Sequence, residues 1–149
     1  MNRLLELQLE DADKFANTPP DLGAYAQEYP EVADILRTCT VGTLNTHPNP
    51  FGQVVGKVYS WNLVQEPLNP EYAKGPTLGR MPVGIFKFPT ENKEKITMLE
   101  GRGLDAVVGG QDTGQFIFSR GDQLNIPANS RFNMIVWIKP TLYLCEYLK

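Results

Sequence analysis

Histidine is nearly absent. His47 is the one histidine in 149 residues, so a metal centre built from imidazoles has almost nothing to draw on. Cysteine is scarce too: Cys39 and Cys145 lie far apart and form no C-x-x-C pair, so neither a zinc site nor a disulfide framework is indicated. No stretch approaches the roughly 18 apolar residues that a membrane helix needs. The leucines of "MNRLLELQLEDAD" are interrupted by charges, unlike the apolar run of a signal peptide. Lys and Arg form no basic stripe, and the net charge is −3, which argues against nucleic acid as a partner. These absences lead to the expectation of a cytoplasmic protein that binds neither membrane nor nucleic acid.

What is present divides unevenly. Within residues 1–50, Arg3, Lys14 and Arg37 face eight Asp and Glu, a net of −5, whereas the remainder is slightly basic. Leucines at 4, 5, 7 and 9, followed by Ala12, Phe15 and Ala16, fit a helix with an apolar face. "NTPPD" at 17–21 ends it, because two prolines cannot continue a helix. A second helix is expected from Pro30, a favourable first-turn residue, to Cys39. "VGTLNTHPNP" at 41–50 reads as turn chemistry and a hinge. From residue 51 the apolar period becomes 2, predicting strands near 53–60, 77–81, 84–88, 94–99, 103–108, 115–118, 123–126, 131–138 and 142–148. Residues 62–76 read as a long loop and 108–115 as a hairpin turn. Many short strands punctuated by thirteen Gly and twelve Pro imply a sandwich or barrel. The fold class is all-β, with a helical amino-terminal arm over 1–48 and a β domain over 49–149.

"GDQLNIPANSRF", residues 121–132, is the most specific phrase. Gly121, Pro127 and Asn129 follow the spacing G-x5-P-x-G-x2-H of metal-binding cupins, small double-sheet jelly-roll barrels. Glu94 followed by six residues and Gly101 matches the second half of the companion motif H-x-H-x3-E-x6-G. The four ligand slots then fall on Phe88, Thr90, Glu94 and Phe132. A divalent metal wants several converging nitrogen or oxygen donors; one carboxylate and one hydroxyl are too few, and two phenyl rings fill the space. Turn stereochemistry alone also explains the spacing, since Pro127 fixes φ and Asn129 tolerates the left-handed turn. Two matches in the right order favour a cupin-like barrel, with no metal expected.

Beyond these motifs, "TLGRMPVGIFKFPTENKEKITMLEGRGLDAVVGG" and "GDQLNIPANSRFNMIVWIKPTLYLCEYL" resemble the pyrimidine/purine nucleoside phosphorylase family of small metal-free cupins. The shared pattern includes Gly56-Lys57-Val58, Thr77-Leu78-Gly79, Glu94, Gly101, Pro127-Ala128-Asn129-Ser130, Phe132, and the ending Thr141, Tyr143, Cys145, Tyr147 and Leu148. The resemblance covers about residues 51–148. It implies phosphorolysis of nucleosides to a free base and a pentose 1-phosphate in a homodimer, with phosphate as co-substrate and no other cofactor. Residues 1–48 have no counterpart in short family members, and Ile85-Phe86-Lys87-Phe88 stands where the family usually has Glu-Tyr-Glu-Phe.

Strand alternation places Phe86, Phe88, Thr90, Glu94, Ile96, Met98, Phe132, Met134 and Val136 on the inward face, together with Tyr143, Cys145 and Tyr147. Such a pocket suits a flat base, which gains about 1–3 kcal/mol from aromatic stacking. The candidate substrate-binding residues are Phe86, Phe88, Thr90, Phe132, Tyr143 and Tyr147. Glu94 is the candidate catalytic group, stabilising cationic charge at the anomeric carbon. An anion site requires cations or several N–H donors, and the inward set holds no cation. Lys57, Arg80 and Arg131 are the nearest by position, with Asn129 and Ser130 as donors at the mouth. Cys145, without a histidine to activate it, reads as an inert core thiol. "RGD" at 120–122 overlaps the barrel turn, and "GRG" at 101–103 lacks the third glycine of a dinucleotide fingerprint. The rival reading is a non-catalytic cupin that binds a small ligand or acts through its helical arm.

Overall fold

The computed structural model describes residues 3–47, 57–108 and 114–149. The chain runs through helix α1 (Arg3–Asn17), helix α2 (Leu22–Glu28), a 3-10 turn (Pro30–Val32) and the short helix α3 (Ala33–Leu36). Among the described residues ten strands follow: β1 (Cys39–His47), β2 (Val58–Gln65), β3 (Tyr72–Met81), β4 (Gly84–Pro89), β5 (Lys93–Glu100), β6 (Arg102–Val108), β7 (Gly114–Ser119), β8 (Gln123–Ile126), β9 (Arg131–Val136) and β10 (Thr141–Leu148). They form two antiparallel sheets. One has six strands in the order β1-β2-β3-β10-β5-β8, the other four in the order β4-β9-β6-β7. This is the all-β double-sheet barrel with a helical amino-terminal extension that the strand pattern and turn motifs predict.

Alternation along each strand assigns its two faces. Phe86, Ile96, Met98, Phe118, Ile126, Phe132, Met134, Val136, Tyr143 and Cys145 meet between the sheets as one buried core. The opposite face of the six-stranded sheet carries Trp61, Leu63, Leu78, Leu99 and Leu144, a second apolar set that water would otherwise meet. The arm covers it: Ala26, Tyr29, Val32, Ala33 and Leu36 complete that second core. Polar contacts fix the docking angle. The Trp61 indole N–H donates to the Phe15 carbonyl at 3.0 Å, and the Tyr29 hydroxyl donates to Glu100 Oε1 at 2.7 Å. The Arg120 guanidinium lies 5.1 Å from the centre of the Tyr29 ring.

Three sequence expectations are corrected. Of the turn and hinge expected over 41–50, residues 41–47 belong instead to β1, whose Thr and Val suit an extended edge and whose pairing with β2 runs from Cys39↔Gln65 to His47↔Val58. The loop expected over 62–76 shrinks to residues 66–71, because β2 continues to Gln65 and β3 begins at Tyr72. The helix expected over Pro30–Cys39 stops at Leu36. An unforeseen helix, α2, starts where Asp21 Oδ1 accepts the Ala24 N–H at 3.1 Å, a side-chain cap for an otherwise orphan donor. The tip of the 108–115 hairpin, the first residues of the 53–60 strand and the 48/49 division lie outside the described residues.

Leu36, only 1% exposed, joins the arm to the sheet. Leu36→Ala is expected to cost about 2–5 kcal/mol, the usual range for emptying a buried leucine site. Urea unfolding measures it; a loss near zero would mean that the arm is not part of the cooperative unit.

Candidate active site

The four positions that correspond to metal ligands in other cupins hold two phenyl rings, a threonine and a carboxylate. Phe88 on β4 and Phe132 on β9 are cross-strand partners, their ring centres 5.2 Å apart. Thr90 is occupied by the backbone. Its hydroxyl donates to the Pro127 carbonyl at 2.7 Å and accepts the Ser130 N–H at 2.9 Å, while the Thr90 N–H donates to the Ser130 carbonyl at 2.8 Å. Thr90 therefore clamps the turn in which Asn129 adopts φ 52°. Only Glu94 keeps a carboxylate aimed inward. Among the described residues no group of three or more His, Cys, Asp and Glu converges as metal ligands would.

Between the sheets, open at one end, lies a cavity of about 500 Å³. That is within the range of about 300–1,000 Å³ typical of small-molecule sites. Phe88, Phe132, Tyr143, Tyr147, Met81 and Ile96 supply its aromatic and apolar walls, and Ser60, Lys74, Glu94 and Cys145 its polar points. Tyr143 can lie flat against the wall because residue 79 is glycine: a Cβ there would collide with the Tyr143 ring. That is a physical reason for glycine in the Thr77-Leu78-Gly79 phrase. Tyr147 is fixed by a 3.0 Å hydrogen bond between its hydroxyl and Thr77 Oγ1.

Glu94 sits in surroundings that disfavour charge. Burial pushes its carboxyl above the ordinary value of 4.5, against the opposing pull of the Cys145 thiol and Lys74. The Cys145 Sγ–H donates to Glu94 Oε1 at 3.3 Å. Burial and the neighbouring carboxylate hold that thiol well above 9.0, so it acts as a donor and not as a thiolate. Burial likewise raises both phenols, Tyr143 and Tyr147, so they remain protonated.

Of the residues chosen from sequence, Phe88, Glu94, Phe132, Tyr143 and Tyr147 line the cavity. Phe86 does not. It is 1% exposed and belongs to the core behind Phe88, ring centres 6.4 Å apart. Thr90 is spent on the turn. The expected anion group is dispersed. Arg80 points to the arm side of the sheet, where its Nη2 donates to the Gln8 carbonyl at 3.1 Å. Ser130 is buried with its N–H on Thr90, and Lys57, Asn129 and Arg131 are exposed and outside the cavity lining.

Among the lining residues that escape the sequence reading, two are basic. His47, assigned to a hinge, ends β1 at the cavity mouth, edge-on to Phe88 at 6.5 Å; partial burial lowers its imidazole below 6.5. Lys74, assigned to a loop, lies on β3 and faces the cavity. The period from Thr77, Gly79 and Met81 would put Lys74 on the other face. However, β10 pairs Cys145 with Thr77 and Tyr147 with Lys74, so Gly75 and Pro76 of β3 together oppose Glu146 of β10. That bulge flips the alternation, and Gly75-Pro76 is its one visible signal.

Two antiparallel sheets around an aromatic cavity, with the metal-ligand positions filled by phenyl rings and a clamped threonine, define a cupin barrel. Solved structures agree on the fold: a cupin 2 conserved barrel domain protein from Rhodopseudomonas palustris superposes with a TM-score of 0.53 at 14% identity, over 72% of this chain and 71% of that one. A protein of unknown function from Acinetobacter sp. ADP1 gives 0.56 at 22% identity, over 75% and 95%. The chain belongs to the pyrimidine/purine nucleoside phosphorylase family, whose model matches residues 56–147. A pyrimidine/purine nucleoside phosphorylase of Pseudomonas savastanoi pv. phaseolicola is 38% identical over 71 residues, 48% of this chain and 73% of the relative. That of Pseudomonas entomophila is 37% identical over 78 residues, 52% and 80%.

The Thr90 clamp predicts that Thr90→Val orphans the Ser130 N–H and loses about 1–3 kcal/mol in denaturant unfolding, with Thr90→Ser recovering most of it. For Glu94, a carboxyl raised on folding favours the folded state at low pH, and that advantage is lost as pH rises through its folded value. Glu94→Gln is therefore expected to unfold at a higher Tm than wild type at pH 8, with the gap closing toward pH 4. A gap that does not vary with pH would contradict the assignment.

Proposed function

We propose that the protein is a nucleoside phosphorylase that cleaves purine and pyrimidine nucleosides to free base and pentose 1-phosphate. The observation that carries this reading is Glu94, a half-buried carboxylate held by Cys145 inside an aromatic cavity. A buried carboxylate is costly to retain, and here it faces open space with walls suited to a flat ring. The relatives' names and the family membership support the same chemistry.

In this mechanism the base stacks among Phe88, Phe132 and the two tyrosines, which excludes water and orients the glycosidic bond. As the carbon–nitrogen bond lengthens, positive charge develops at the anomeric carbon and ring oxygen. The ionised Glu94 carboxylate stabilises that charge in a site of low dielectric, where its effect exceeds what it would have in water. A phosphate oxygen forms the new bond to carbon, the bonding pair leaves with the base, and the proton that phosphate gives up ends on the base nitrogen. The scheme routes no step through a metal; three of the four positions that correspond to cupin metal ligands are phenyl rings and a threonine already bonded to backbone.

The arm bears on the rival reading of a non-catalytic cupin. Its helices pack on the face of the six-stranded sheet opposite the cavity, so they do not plug the mouth.

Chelator-treated protein is expected to release free base from uridine, adenosine, guanosine or inosine only when phosphate is present. Glu94→Gln should slow that release by roughly 100-fold or more, as for removal of a preorganised charge partner. Release by wild type should fall as pH drops through a midpoint above 4.5, because only the ionised Glu94 acts. An unchanged rate in the Gln variant removes Glu94 from the mechanism. Absence of phosphate-dependent release from folded wild type favours the ligand-binding cupin.

A further inference from the structure

A phosphorolytic cavity needs a cation for its anionic co-substrate, and none of the three cations nearest in sequence lines it. Lys74 does. Its placement follows from strand register. Tyr147 on the central strand β10 is the direct partner of Lys74 on β3 and of Glu94 on β5. The three residues form one row across three adjacent strands. Strands are about 4.8 Å apart, so Lys74 and Glu94 start from backbones roughly 10 Å apart with the phenol ring between them.

The Lys74 ammonium lies 4.2 Å from the centre of the Tyr147 ring. A ring face holds an ammonium through its quadrupole without neutralising it. Among the described residues no carboxylate lies within salt-bridge distance of Lys74, and Glu94 feels its charge only at longer range. Tyr147 is itself anchored through Thr77, which fixes the platform on which the ammonium rests. His47, the other basic side chain of the lining, is pushed by partial burial toward its neutral form. Glu91 and Glu94, also in the lining, repel an anion. The row separates the two charges that phosphorolysis must keep apart, a bound phosphate and the carboxylate that stabilises the sugar cation.

We propose that Lys74 holds the phosphate, with Tyr147 as the platform that positions its ammonium on the far side of the ring from Glu94, along the same cavity wall. This inference rests on the phosphorylase reading for its kinetic consequence, but the anion site stands or falls on binding alone. Lys74 is an exposed strand residue and is not part of either core, so its replacement leaves the fold in place.

The test pairs kinetics with direct binding on the full-length protein. With phosphate varied at saturating uridine, Lys74→Ala is expected to raise the phosphate KM about tenfold or more, the scale of a lost charge-assisted contact. The uridine KM should move less than about twofold, within the scatter of a contact to the other substrate. Lys74→Arg should restore most of the phosphate affinity. Calorimetric titration with inorganic phosphate should show binding to wild type and its loss in Lys74→Ala. Unchanged phosphate KM and binding in Lys74→Ala overturn the proposal, as does wild type that fails to bind phosphate. Phosphate binding that depends on Lys74, in protein that releases no base from any nucleoside, supports the anion site and overturns the phosphorylase reading instead.

Discussion

The structure depends on β10, a strand buried on both faces at the middle of the six-stranded sheet. Tyr143, Cys145 and Tyr147 face the cavity, while Leu142 and Leu144 face the arm. Its neighbours on either side are β3 and β5, which carry Lys74 and Glu94. A strand in that position has no freedom to slip, since a one-residue shift would exchange phenols for leucines in both cores at once. The polar row along this cavity wall therefore inherits its geometry from hydrophobic burial.

The cavity differs from a metal-binding cupin in the chemistry of its walls and not in its frame. Two phenyl rings and a clamped threonine stand at three of the four ligand positions, and the turn that would present the last ligand is held by the Thr90 hydroxyl. Cross-strand ring packing and backbone hydrogen bonds supply the local order at those positions. The fourth position keeps a carboxylate, raised by burial and held by a thiol. Such a group weakens the fold at neutral pH, a cost commonly found where a side chain serves a reaction rather than stability.

The arm extends the same logic outward. A lone sheet needs cover on both faces, and the second barrel sheet covers only one. Helices α2 and α3 and the end of α1 supply the other cover, with the Trp61, Tyr29 and Arg80 contacts setting their position. Arg80, whose place in the sequence suggests an anion ligand, is drawn into this outer contact. Its parity on β3 puts it beside Leu78, on the face the arm covers.

By itself the sequence determined the class of fold and most of the aromatic wall. The period-2 runs, the Gly121–Phe132 phrase and the Tyr-Leu-Cys-Glu-Tyr-Leu ending assign faces correctly wherever a strand is regular, because alternation is a property of the extended backbone. Glu94, Phe88, Phe132, Tyr143 and Tyr147 were legible for that reason. Phe86 was assigned to the right face, but how far it stands from the opening depends on how the sheets close. Lys74 and His47 were not legible. A bulge at Gly75-Pro76 reverses the parity that local sequence implies, and a strand ending in Thr46-His47 resembles a turn until its partner β2 is in place. Which polar side chains meet in the cavity is decided by register between strands distant in sequence, and register is set by the packing of both cores together.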